Sequence, residues 1–131
     1  MDLEKIFRNL INADTIVIFI YLISGFNMPK DLMEIAEYVP AGIYETEFGL
    51  ILALLIVVAY IISLVLLYRY VSYGKKVYVA VVVIGFILDL FGGAYIMTSI
   101  SFSIGVILNM TNGAILTLLF FSPIKDKFVQ K

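Results

Sequence analysis

Cysteine and histidine are both absent from this 131-residue chain. Without cysteine there is no disulfide, no thiol nucleophile, no lipoprotein or prenyl anchor and no thiolate metal site. Without histidine the usual general acid–base group is gone, with the commonest ligand for haem and transition metals. Excess charge is missing too: nine Lys and Arg stand against ten Asp and Glu, a net charge of −1. That balance gives no pull toward nucleic acid, and no long basic run supplies one locally. The carboxylates do not cluster inside any apolar stretch, as a metal-dependent lipid transferase would need. No catalytic set, metal or cofactor is expected, and the chain does not read as an enzyme.

What the chain has in excess is apolar surface. Hydrophobic residues make up 63% of it, and the mean hydropathy is +1.07. A soluble domain is about half apolar. Too little polar surface remains to cover a globule in water, so lipid is the expected solvent.

Four apolar stretches lie at about 10–27, 48–69, 77–98 and 102–122. A spanning helix needs about 20 mostly apolar residues. The first stretch is the weakest, because it must carry Asn12 and Asp14. Acidic residues and the lack of a small-residue cleavage site argue for a retained span there, not a signal peptide. Gly74 is expected to break the helix between the second and third stretches, and Pro123 to stop the fourth. The 28–47 connection is the longest. Asn27 can cap a helix and Pro29 suits its first turn. Leu32, Met33 and Ala36 fall at helical spacing, so a short helix lying on the membrane and ending near Pro40 is expected.

Basic residues set the expected orientation. Lys5, Arg8, Arg69, Lys75, Lys76, Lys125, Lys127 and Lys131 fall on one side of a four-span arrangement. Only Lys30 falls on the other, among Asp31, Glu34, Glu37, Glu45 and Glu47. The excess of Lys and Arg marks the cytoplasmic side. The expected fold is all-α: one domain over residues 1–131, a polytopic protein of the cell membrane. Four transmembrane helices form an antiparallel bundle with both termini cytoplasmic, and a short interfacial helix lies outside. Tyr68, Tyr70, Tyr73 and Tyr78 cluster at the inner boundary, where aromatic anchors belong.

Asp89 sits in "GFILDLFGGAY", with apolar residues on both sides. Counted from the inner end of its stretch, it lies about 18 Å deep, near the midplane. Asn112, Asn109 and Tyr60 come out at similar depths. Gly85, Asp89, Gly92 and Gly93 line one face of the third stretch, and Gly105, Asn109, Asn112 and Gly113 one face of the fourth. Small residues let helices approach closely in lipid. These faces are expected to pack together, with Asp89 among the asparagines. No span holds a cation, so Asp89 is expected to be uncharged at neutral pH, or matched by an ion or a partner's cation. Asp14 is expected only about 6 Å inside the first span. The two aspartates then differ too much in depth to form a shared-proton pair.

Two function classes follow. One is an accessory, interaction or immunity-type protein, acting through its helix faces or the acidic loop on a membrane-protein partner. The other is an oligomeric proton- or cation-coupled transporter or channel using Asp89. An intramembrane acid suits the second. The lack of a polar path to both faces favours the first.

Overall fold

In the computed structural model the described residues are 2–25, 29–39, 42–92 and 96–128. Among them there is no strand, and 86% of them are helical. Four long helices dominate: α1 Leu3–Gly25, α3 Glu47–Tyr68, α4 Gly74–Phe91 and α5 Ser99–Phe121. Between the first two lie the short α2 Lys30–Ala36 and a 3₁₀ turn, Ile43–Glu45. A second 3₁₀ segment, Pro123–Phe128, follows α5.

Helix ends follow their caps. Asp2 Oδ1 accepts from the Lys5 backbone N–H at 3.2 Å, so α1 begins two turns before the apolar run. The Thr46 hydroxyl accepts from Gly49 N–H at 3.0 Å and starts α3. Thr98 does the same for Ser101 at 3.0 Å and starts α5. A side-chain oxygen in this role satisfies a donor with no partner inside the helix. The third stretch is shorter than expected: α4 ends at Phe91, and 96–98 are not helical. At its end Gly92 lies under the Tyr44 ring, where a Cβ would stand 2.8 Å from Cε2.

The turn between α3 and α4 departs from expectation. The left-handed residue there is Tyr70, with φ of 53°. Such a conformation costs a bulky residue about 1–2 kcal/mol. Packing offsets it: the Tyr70 ring lies 5.9 Å from Phe7 and 5.4 Å from Phe128, and the Arg8 guanidinium stands 5.4 Å from its centre. Gly74 serves a different purpose, since a Cβ there would come within 3.0–3.1 Å of Leu66.

The helices pack chiefly as two pairs, α1 with α5 and α3 with α4, joined through α1 and α3. Contact between α4 and α5 is slight. The expected packing of the α4 glycine face on the α5 glycine face is therefore not found. Gly85 has Ile56 of α3 at 4.0 Å, Gly105 has Tyr21 of α1 at 3.5 Å, and Gly113 meets nothing within 4 Å. Gly93 lies outside the described residues, as do Asn27, Pro40 and Lys131.

The core collects at one end. Phe7, Leu67, Tyr78, Ile115 and Leu119 are fully buried there. The segment after α5 folds back over it, with Phe128 edge-on to Phe7 at 6.2 Å and Lys127 Nζ 2.7 Å from Glu4 Oε1. Elsewhere the long helices turn large apolar side chains outward, among them Leu54, Phe86, Ile100 and Met110. α1, α3 and α5 are long and apolar enough to cross a membrane. α4 carries Lys75, Lys76 and Asp89 within its length and falls short of that description.

Candidate functional site

α1 buries a stripe of Phe7, Ile11, Asp14 and Ile18, spaced four, three and four residues apart. That spacing keeps one helix face inward. It carries Asp14 into the interior, fully buried, about 16 Å along α1 from Leu3. The sequence count began this helix near Leu10 and left Asp14 close to the surface. The Asp2 cap removes that premise.

Three helices supply the partners of Asp14. Thr111 of α5 donates its hydroxyl to Oδ1, and Tyr60 of α3 donates to Oδ2. The Tyr60 hydroxyl also faces Asn112 Oδ1 of α5 at 2.6 Å. Tyr78 of α4 donates to the same Asn112 oxygen, also at 2.6 Å. One hydrogen-bonded cluster thus touches all four long helices. The two phenol rings lie 6.0 Å apart at 36°, within the usual range for an aromatic pair. No cation pairs with Asp14 among the described residues; Lys75 Nζ lies 4.0 Å from the centre of the Phe120 ring.

Proton supply constrains this cluster. Tyr60 owns one hydroxyl proton but faces two acceptors. Thr111 likewise faces Asp14 and the Leu108 carbonyl, at 2.9 Å from the latter. A proton on Asp14 would fill one of these gaps by donating to Thr111. Turning the Asn112 amide, so that its NH₂ faces the two phenols, fills the other by freeing Tyr60 for Asp14. The arrangement thus has a place for one further proton on the carboxyl.

Of the polar residues singled out in the sequence, Tyr60 and Asn112 meet, and Asp89 and Asn109 stay apart from them. Asp89 is exposed near the end of α4, where Tyr44 donates to its Oδ1 at 3.2 Å. Asn109 is exposed on α5. Asp14, Tyr78 and Thr111 are the members that depth counting missed. Tyr78 is fully buried, not an interface anchor. The α1 stripe could have placed Asp14; nothing in the sequence distinguishes Thr111 from its neighbours. Of the acidic loop, Asp31, Glu34, Glu37 and Glu47 are exposed, while Glu45 lies in the 3₁₀ turn. Compared with known protein families, with curated proteins and with solved structures, the chain has no match.

Proposed function

We propose that this chain is a four-span protein of the cell membrane that acts by binding another membrane protein, not by catalysis. α4 spans the membrane beside α1, α3 and α5, as the third span in chain order, and Lys5, Arg8, Arg69, Lys75, Lys76, Lys125 and Lys127 lie on the cytoplasmic side. The expected antiparallel bundle with both termini inside follows from that assignment.

One observation carries the reading. Asp89 is exposed on α4 beside Phe86 and Leu90, which are 64% and 67% exposed. A charged carboxylate costs about 2.5–3.5 kcal/mol at the centre of a spanning helix and less toward its end, where Asp89 lies, so part of that cost remains. A single Tyr44 contact at 3.2 Å offsets little of it. A partner helix bringing a cation or amide donor to this flank would offset the rest. An accessory or immunity-type role uses such a surface. The test is site-specific photo-crosslinking from position 90 in native membranes. The reading expects a foreign membrane protein crosslinked in stoichiometric amount and lost in Asp89→Leu. A crosslink unaffected by that change contradicts it.

A second reading rests on the buried cluster. A carboxyl with room for a proton, joined through hydroxyls to four helices, suits a proton-coupled transporter centred on Asp14. It expects Asp14→Asn to abolish proton flux in vesicles while leaving the fold intact; undiminished flux would exclude it.

A further inference from the structure

Between the start of α1 and the end of α3 lies an open polar cleft of about 340 Å³. Asp2, Lys5, Arg8, Asn9, Asn12 and Tyr68 line it, together with Glu4. It is separate from the buried cluster and from Asp89. Its charges are partly settled already. Glu4 is paired with Lys127 at 2.7 Å. Asp2 accepts the Lys5 backbone N–H. That leaves Lys5 and Arg8 against Asp2 alone, an anion-seeking balance.

Arg8 is held ready. Its guanidinium lies 5.3 Å from the Tyr68 ring centre and 5.4 Å from that of Tyr70. Contacts of this kind use the face of the guanidinium and leave the edge N–H groups available. Among the described residues no carboxylate pairs with Arg8. A planar fork with available donors matches the oxygens of a phosphate. Asn9 and Asn12 add exposed amides on the same stretch of helix.

The far edge of the cleft points to the source of that phosphate. One turn beyond Asn12 the exposed surface of α1 becomes apolar. Ile16 is 60% exposed, Phe19 49%, Ile20 47% and Ile23 60%. A molecule seated with its anion at Arg8 has an apolar track leading away from it. Free phosphate has no use for such a track, whereas a lipid does. We propose that this cleft binds the phosphate of one anionic membrane lipid, with its acyl chains along Ile16, Ile20 and Ile23.

The test is native mass spectrometry of the purified full chain in neutral detergent, titrated with phosphatidylglycerol or with phosphatidylcholine of the same chains. One phosphatidylglycerol per chain should be held in preference. Losing a charged hydrogen-bond donor should weaken it about tenfold or more in Arg8→Gln. Asn12→Leu should weaken it less, and Arg8→Lys should fall between Arg8→Gln and the wild type. Lys125→Gln, which removes one charge outside the cleft, should leave it unchanged. Three results would each overturn the proposal: equal retention of phosphatidylcholine, equal loss in Lys125→Gln, or displacement of the lipid by inorganic phosphate at matched concentration. Helical circular dichroism of each variant checks folding. If Arg8→Gln loses helix, the exposed Asn12→Leu decides, and its unchanged affinity would refute the site.

Discussion

Removing one phenol oxygen at a time separates the two tyrosines of the buried cluster. Phenylalanine keeps each ring, so the 6.0 Å ring contact survives in both variants. Tyr78→Phe removes one bond, to an Asn112 amide that still faces the Tyr60 oxygen. Interhelical hydrogen bonds in membranes average about 0.6 kcal/mol, and Tyr78→Phe should cost about that. Tyr60→Phe removes the contact to Asn112 and also strips Oδ2 of a fully buried Asp14. A buried polar atom left without its partner costs about 1–3 kcal/mol. The expected order is therefore Tyr60→Phe well above Tyr78→Phe. Equilibrium unfolding of the purified protein in mixed micelles, or steric trapping in bicelles, reads both values. Because the two hydroxyls share the Asn112 amide, the double variant should depart from additivity by about 0.5 kcal/mol or more. Equal costs with strict additivity would refute the shared network.

Other parts of the fold make independent predictions. Gly49→Ala would place a Cβ 1.7 Å from the Ile43 carbonyl oxygen and should destabilise by about 1–3 kcal/mol, while Gly113→Ala meets nothing within 4 Å and should be neutral or stabilising; unfolding measurements that rank them the other way would overturn the packing at α3. Thr46→Ala removes the cap of α3 and should cost about 1 kcal/mol, with faster hydrogen exchange confined to the first turn of that helix. The Glu4 hydrogen bond raises the Lys127 pKa above its ordinary 10.5, with the Glu4 charge adding to it. The tether of the final segment to α1 is thus fully present below pH 10.5 and weakens as pH rises through the raised value, which hydrogen exchange of residues 123–128 should follow and which Glu4→Gln should abolish.

Hydropathy and helix signals were sufficient to read the helices, because long apolar runs and their caps are local properties. α3 lies within one residue of its expected ends, and Thr46 and Thr98 show why the starts fall where they do. The site was less legible. Depth counting needs helix ends, and hydropathy registers neither the Asp2 cap that starts α1 nor the end of α4 at Phe91. With α1 starting at Leu3, Asp14 moves inward; with α4 ending at Phe91, Asp89 moves to the rim. Pairing of helices was equally non-local. Glycine faces on α4 and α5 suggested contact between them, yet Gly105 is used by Tyr21 of α1. Tyr60 and Asn112 lie well inside α3 and α5, whose C-terminal ends at Tyr68 and Phe121 fall within one residue of the expected 69 and 122.

Asp14, not Asp89, is the polar centre where the four long helices meet. Comparing the unfolding free energies of Asp14→Leu and Asp89→Leu tests it most directly. Loss of the Asp14 carboxyl breaks two interhelical hydrogen bonds, leaving the Tyr60 hydroxyl to Asn112 and the Thr111 hydroxyl to the Leu108 carbonyl, and should cost about 1 kcal/mol or more. Loss of the exposed Asp89 carboxyl should leave stability unchanged or raise it. A large cost for Asp89→Leu with none for Asp14→Leu would contradict the account.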